Sequence, residues 1–64
     1  MQNLDLFEAA QIYVDTFFTG MVESIVTKYT NSGRICKILF TDGTYDKTEI
    51  VSYDELMVYA NNFS

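Results

Sequence analysis

Few side chains in this sequence could make or break bonds. Histidine, the usual general base and a common metal ligand, is absent, and Cys36 is the only cysteine. This composition excludes Ser-His-Asp and Cys-His arrangements, and one thiol cannot complete a tetrahedral zinc shell. The adjacent carboxylates Asp54 and Glu55 could exchange protons, but helix capping accounts for Glu55 without chemistry. Neither phosphate-binding glycine loop, GxxxxGK[ST] or GxGxxG, occurs. We therefore predict no catalytic residue, no metal site and no cofactor.

Cys36 lies between Ile35 and Lys37 in a segment that reads as a β-strand. Neighbouring residues of a strand point to opposite faces, so Lys37 would not activate the thiol. We expect a buried structural cysteine rather than a nucleophile.

The composition indicates one small acidic domain spanning residues 1–64, with 48% apolar and 16% aromatic residues. The net charge is −5, and the four basic residues are too few for generic binding to nucleic acid or to an anionic membrane. The first 20 residues contain acids and no base, which is unlike a secretory signal. With a lone cysteine as well, we expect a cytoplasmic protein.

The segment 4–19 has the apolar spacing of an amphipathic helix. Asp5 and Glu8 form a D-x-x-E start signal, and Gly20 is a natural stop. The apolar seam contains Phe7, Ala10, Val14, Phe17 and Met21, and it is widened by Leu6, Ala9, Tyr13 and Phe18.

Residues 21–52 read as three antiparallel strands, 22–29, 34–41 and 44–51, joined by turns at residues 30–33 and at Asp42-Gly43. Two registers are open at the second turn. A two-residue turn pairs Phe40 with Tyr45 and Ile38 with Lys47. A three-residue loop pairs Lys37 with Glu49 and Cys36 with Ile50. We prefer the second, because it places Cys36, Ile38, Phe40 and Ile50 on one face and opposes two unlike charges.

Residues 53–63 read as a short helix that starts at a capping box, Ser52 to Glu55. Val51 and Leu56 have the spacing of a hydrophobic staple. The apolar stripe continues through Tyr59, Ala60 and Phe63. The predicted fold is therefore α+β: an N-terminal helix, a three-stranded antiparallel β-meander and a short C-terminal helix (α-β-β-β-α), with the first helix covering one side of the sheet and the last at an edge or end.

The excess negative charge lies in the two predicted helices, while the strands and turns between them carry four acids and four bases. Such a distribution attracts a basic partner. An apolar residue with an acidic rim is typical of a binding surface, so we predict partner contacts at Asp5, Glu8, Ile12, Asp15, Asp54 and Glu55. The alternative remains that the acids favour the helix N-termini and that Ile12 is an ordinary exposed aliphatic residue.

The stretch from Arg34 to Thr44, continued from Glu49 to Leu56, resembles part of a Tudor or SH3-like β-meander: an apolar strand ends in Phe-x-Asp-Gly, and a further strand and a polar turn precede a leucine. The resemblance covers about a third of the chain. It implies a peptide-reading module whose aromatic cage binds methylated lysine or arginine. Tyr29, Phe40, Tyr45 and Tyr53 would form that cage, although the family barrel has more strands than the three predicted.

In size, acidity and lack of chemistry the chain is also similar to inhibitors encoded by phages and mobile elements, which block CRISPR effectors, nucleases or restriction enzymes, some by imitating nucleic acid. Our leading hypothesis is a non-enzymatic inhibitor of this kind that docks on a basic protein surface. One alternative is a structural subunit that forms a homodimer through the broad apolar face of the first helix. The other alternative is the Tudor or SH3-like reader.

Overall fold

Two helices cover one face of a three-stranded antiparallel sheet in the computed structural model, which describes residues 5–63. The elements are α1 (Leu6–Phe17), β1 (Met21–Thr30), β2 (Gly33–Thr41), β3 (Asp46–Ser52) and α2 (Tyr53–Phe63). The strands lie in the order β1-β2-β3. The predicted α-β-β-β-α architecture of the α+β class is therefore confirmed.

The helices lie side by side rather than on different parts of the sheet. Helix α1 packs on β1, while α2 packs mainly against α1 and also contacts β2 and β3. The molecule measures 33 × 28 × 16 Å, and the short dimension is that of one helix layer on one sheet layer. The other face of the sheet has no covering element among residues 5–63.

Helix α1 begins where its cap residue predicts. The carboxylate of Asp5 accepts a hydrogen bond of 2.7 Å from the amide of Glu8, as an N-cap does. Residue 4, where the predicted helix started, lies outside the described residues. The buried stripe is narrower than predicted, because it consists of Ala9, Ala10, Tyr13 and Val14, whereas Phe7 and Phe17 are 47% and 48% exposed.

The junction between α1 and β1 is held by one side-chain amide. Gln11 donates to the carbonyl of Gly20 at 3.1 Å and accepts from the amide of Val22 at 2.9 Å. The role of Gly20 differs from the predicted helix stop, since α1 already ends at Phe17. Gly20 instead passes so close to β2 that a Cβ atom would lie 2.5 Å from the carbonyl oxygen of Thr41.

A β-bulge at Glu23 sets the faces of β1. Val22 pairs with Phe40 and Ser24 with Leu39, which leaves Glu23 as the extra residue. Val22 is consequently buried and Ile25, three residues later, is also packed against the core.

The loop between β2 and β3 contains four residues, 42–45, and both predicted registers are wrong. Lys37 pairs with Ile50 instead of Glu49, and Phe40 pairs with Lys47 instead of Tyr45. The physical reason is the side chain of Asp42. Its carboxylate accepts hydrogen bonds from the amides of Thr44 at 2.8 Å and Tyr45 at 2.9 Å. These bonds close a longer loop than the Asp-Gly pair alone suggests.

This register decides which side chains reach the core. Cys36 pairs with Val51, and both are buried, whereas Ile50, which we expected beside Cys36, is 59% exposed on the opposite face. Helix α2 closes the core with Leu56 and Ala60, both fully buried. The side chain of Phe63, the last of the predicted stripe, lies outside the side chains that are described.

The uncovered side of the sheet, called here the open sheet face, contains the strand residues that alternate with the buried ones. It consists of Ser24, Val26, Lys28, Ile35, Lys37, Leu39, Thr48 and Ile50.

Replacement of Gly20 by alanine is expected to lower the free energy of unfolding by more than about 2 kcal/mol. The new Cβ would overlap the carbonyl of Thr41, and φ of Gly20 is already +152°. Gly33→Ala is the control, because Gly33 has φ of +120° but nothing within 4 Å. It should cost about 1–2 kcal/mol from backbone strain alone. Equal losses in urea denaturation would contradict the close approach.

Asp42→Asn is expected to flatten the acid limb of the stability curve. The amides of Tyr45 and Thr44, with a smaller contribution from Lys47, lower the pKa of Asp42 from 3.8 to about 2. A lowered native pKa gives stability that is present above the unfolded value and lost as the pH falls toward the native value. Urea denaturation between pH 3.8 and about 2 should therefore show a steeper loss for the wild type than for the variant. Parallel curves would contradict this role, and Asp54→Asn serves as the matched control.

Candidate protein-binding surface

The four predicted partner contacts of α1 lie together on one face of the helix. Asp5, Glu8, Ile12 and Asp15 follow one another at spacings of three, four and three residues. Two of the acids already have local roles, since Asp5 caps α1 and Asp15 accepts a 2.9 Å hydrogen bond from Gln11. Ile12 is half-buried and packs against the core, so it does not project from the acidic rim as we expected.

The two predicted contacts of α2 lie in its first turn. Asp54 and Glu55 are exposed, and the amide of Glu55 donates a hydrogen bond to the hydroxyl of Ser52 at 3.1 Å, which confirms the serine's part in the predicted capping box. Of the six predicted residues, only Glu55 acts electrostatically on Tyr13 of α1, which belongs to an aromatic group between the helices.

This aromatic cluster consists of Tyr13, Phe17, Phe18 and Tyr59. The ring centroids of Phe17 and Tyr59 are 4.9 Å apart in an edge-on arrangement, and those of Tyr13 and Phe17 are 5.0 Å apart. Phe18 joins the cluster to the core through Phe40, at 5.2 Å. Phe17 and Phe18 are nevertheless 48% and 38% exposed. The apolar spacing of the first helix predicted that these rings lie in the core. The one indication of a surface role was that the apolar face of the helix is too broad for three strands to cover.

Two carboxylates stand beside this cluster. Burial raises the pKa of Tyr13 above its usual 10.0, and the negative charges of Glu49 and Glu55 raise it further. Glu49 was not among the predicted contacts, because the register we preferred turned it away from the helices. In the structure it pairs with Ile38, whose side chain is buried beneath the helix layer.

Neither carboxylate is neutralised by a neighbouring base. Within residues 5–63 the one ion pair joins Lys47 to Asp42, at 3.3 Å. The aromatic cluster with Glu49 and Glu55, called here the aromatic–acidic patch, therefore combines exposed rings with uncompensated negative charge. Rings present a negative π-face to cations, so both features favour a basic side chain.

The aromatic cage implied by the Tudor resemblance is not assembled. The sheet is open rather than closed into a barrel, and Phe40 is only 1% exposed. Tyr53 and Tyr29 instead flank Arg34 of the same chain, with the guanidinium carbon 4.0 and 5.7 Å from their ring centroids. Stacking on Tyr53 stabilises this cation, whose buried Nε has no hydrogen-bond partner in the described part of the chain.

Cys36 is fully buried, as predicted. Burial raises the pKa of its thiol, an effect that the nearby Arg34 partly offsets. In the described part of the chain, no three residues of the His, Cys, Asp and Glu types gather as metal ligands do. The helices among residues 5–63 are too short or too polar to cross a bilayer.

Removal of either carboxylate from the aromatic–acidic patch should lower the pKa of Tyr13. In Glu49→Gln and Glu55→Gln the pKa should move toward 10.0 without reaching it, because burial still disfavours the phenolate. An alkaline NMR titration of the tyrosine ring carbons measures this change. Asp5→Asn, at the N-terminal end of α1 and about two turns from Tyr13, keeps a good cap and is the control. An unchanged Tyr13 titration in both glutamine variants would show that the carboxylates do not converge there.

Comparison with family models, with curated proteins and with solved structures gave no match.

Proposed function

We propose that this chain is a non-enzymatic protein-binding protein, and that the aromatic–acidic patch docks on a basic surface of its partner. The observation that carries the proposal is the pairing of exposed rings with carboxylates that form no ion pair within residues 5–63. Folding alone favours neither feature, because half-exposed rings forgo burial and adjacent acids repel each other.

The exposed rings supply the affinity in this proposal. Phe17 is held by Tyr13 and Tyr59 at centroid distances of 5.0 and 4.9 Å, so its ring loses little freedom on binding. Preorganised aromatic side chains of this kind are frequent anchors of protein interfaces. An arginine of the partner could stack on a ring and pair with Glu55 or Glu49.

The carboxylates supply the selection of partner. The described residues of α1 and α2 contain acids and no lysine or arginine. Binding surfaces for nucleic acids are rich in lysine and arginine. We therefore infer that the partner handles nucleic acid and that docking blocks its basic surface, as an inhibitor encoded by a phage or mobile element would do to a CRISPR effector, nuclease or restriction enzyme.

Absence of catalysis and a cytoplasmic location are parts of the same proposal. The chain has no histidine, and its single thiol is buried with a raised pKa. A thiolate nucleophile requires a lowered pKa and access to substrate. A free cysteine is also typical of a reducing compartment.

The test starts from the tagged protein in its native host, with the captured partner identified by mass spectrometry and then purified. Calorimetry with the purified partner compares two charge-reversal variants. The first is the double variant Glu49→Lys/Glu55→Lys. The second is the triple variant Asp5→Lys/Glu8→Lys/Asp15→Lys. The first should weaken binding at least about tenfold, a loss of roughly 1.4 kcal/mol. The second should change the affinity less, because Glu49 and Glu55, and not those acids, act electrostatically on Tyr13 of the cluster.

Nucleic acid should compete with the wild-type protein for this partner, and added salt should weaken the complex. Circular dichroism establishes that the variants fold. Full affinity in the Glu49 and Glu55 variant would reject the aromatic–acidic patch. A partner without a nucleic-acid site would reject the inferred class.

A further inference from the structure

We propose that the open sheet face is a homodimer interface whose occupant is a second copy of this chain. This proposal is independent of the aromatic–acidic patch, which lies on the other side of the molecule. It also differs from a dimer through the apolar face of α1, because the sheets rather than the helices would meet.

The open sheet face is more apolar than a solvated sheet surface. Antiparallel sheets with one covered face usually present polar residues on the other. Here Val26 and Ile50 are each 59% exposed, and the half-buried Leu39 and Ile35 lie between their strands. A contiguous apolar surface on a small chain is typical of an interaction site.

The shape of the open sheet face suits packing against another sheet. Val26, Leu39 and Lys37 line a shallow depression of about 280 Å³, with Ser24 and Thr48 at its sides. Because the side chains of Ser24 and Thr48 are small, the surface there is lower than at the exposed Ile50. The broad face of a molecule measuring 33 × 28 Å can provide the roughly 800 Å² that each partner of a standard interface buries.

Charge favours a second copy on this face. The acids of α1 and α2 would repel each other if two helix layers met. On the sheet side, by contrast, Lys28 lies toward one end of the open sheet face, and the carboxyl groups of Glu23 and Asp46 lie at the other end. In that pair Glu23 hydrogen-bonds to Asp46, and this bond and the charge of Asp46 raise the pKa of Glu23. A nearby cation would favour ionisation of both acids at neutral pH.

A second copy supplies that cation by symmetry. A two-fold axis between the sheets and perpendicular to the strands lays β1 over its own copy in the reverse direction. Glu23 of each chain then faces Lys28 of the other. Lys37, which pairs with Val26 near the middle of β1, lies close to this axis, where its stem packs on the apolar surface and its ammonium group extends to solvent. A cation and an acid from each chain thus meet at both ends of the interface.

Sedimentation equilibrium from micromolar to millimolar concentration tests this dimer. The wild type should reach twice the 7.4 kDa mass of the chain. Val26→Lys should raise the dissociation constant at least about tenfold. Val58→Lys is the matched control, since Val58 is 56% exposed on the helix side and Val26 is 59% exposed on the sheet. The control should leave the dissociation constant unchanged.

A charge exchange provides a second readout that does not depend on strand packing. Lys28→Glu should weaken the dimer, and Lys28→Glu combined with Glu23→Lys should restore it. A wild type that stays monomeric at millimolar concentration would overturn the proposal. A dimer that Val58→Lys weakens, and Val26→Lys does not, would overturn it in favour of the helix side.

Discussion

The capped loop at Asp42 is the constraint on which the two faces of this molecule depend. The carboxylate of Asp42 accepts hydrogen bonds from the amides of Thr44 and Tyr45, and the resulting four-residue loop fixes how β3 pairs with β2. Since successive strand residues face opposite sides, a change of one residue would exchange every side chain of β3. In the observed register Glu49 belongs to the side of the helices, while Ile50 lies on the open sheet face.

The sheet thereby separates two different surfaces. The helix side combines exposed rings with the acids of α1, α2 and β3, whereas Lys28 and Lys37 extend from the open sheet face. Gln11 and Gly20 fasten these layers at one point, by bonds to the start of β1 and by close approach to Thr41. The two proposals together give a dimer with an aromatic–acidic patch on each outer side, so a partner with two basic sites would gain avidity.

Local signals in the sequence were sufficient to predict the helices and strands but not the register in which β2 and β3 pair. The caps at Asp5 and Ser52 and the apolar spacing predicted the helices, because these effects act within one turn. Burial of Cys36 followed from its strand neighbours. The Asp42 loop was missed, since an Asp-Gly pair favours a two- or three-residue turn until side-chain capping is included. Ile12 and Phe17 were misplaced, because the side of α1 that meets α2 and the sheet is set by tertiary packing, which no local pattern indicates.

The pairing of β2 with β3, measured by NMR in solution, tests the proposed separation of the two faces most directly. Cross-strand proton contacts should join Lys37 to Ile50 and Cys36 to Val51. Contacts that join Lys37 to Glu49 and Cys36 to Ile50 would contradict it. In that register Ile50 would enter the core, Glu49 would move to the other face, and the aromatic–acidic patch and the apolar sheet surface would both be lost.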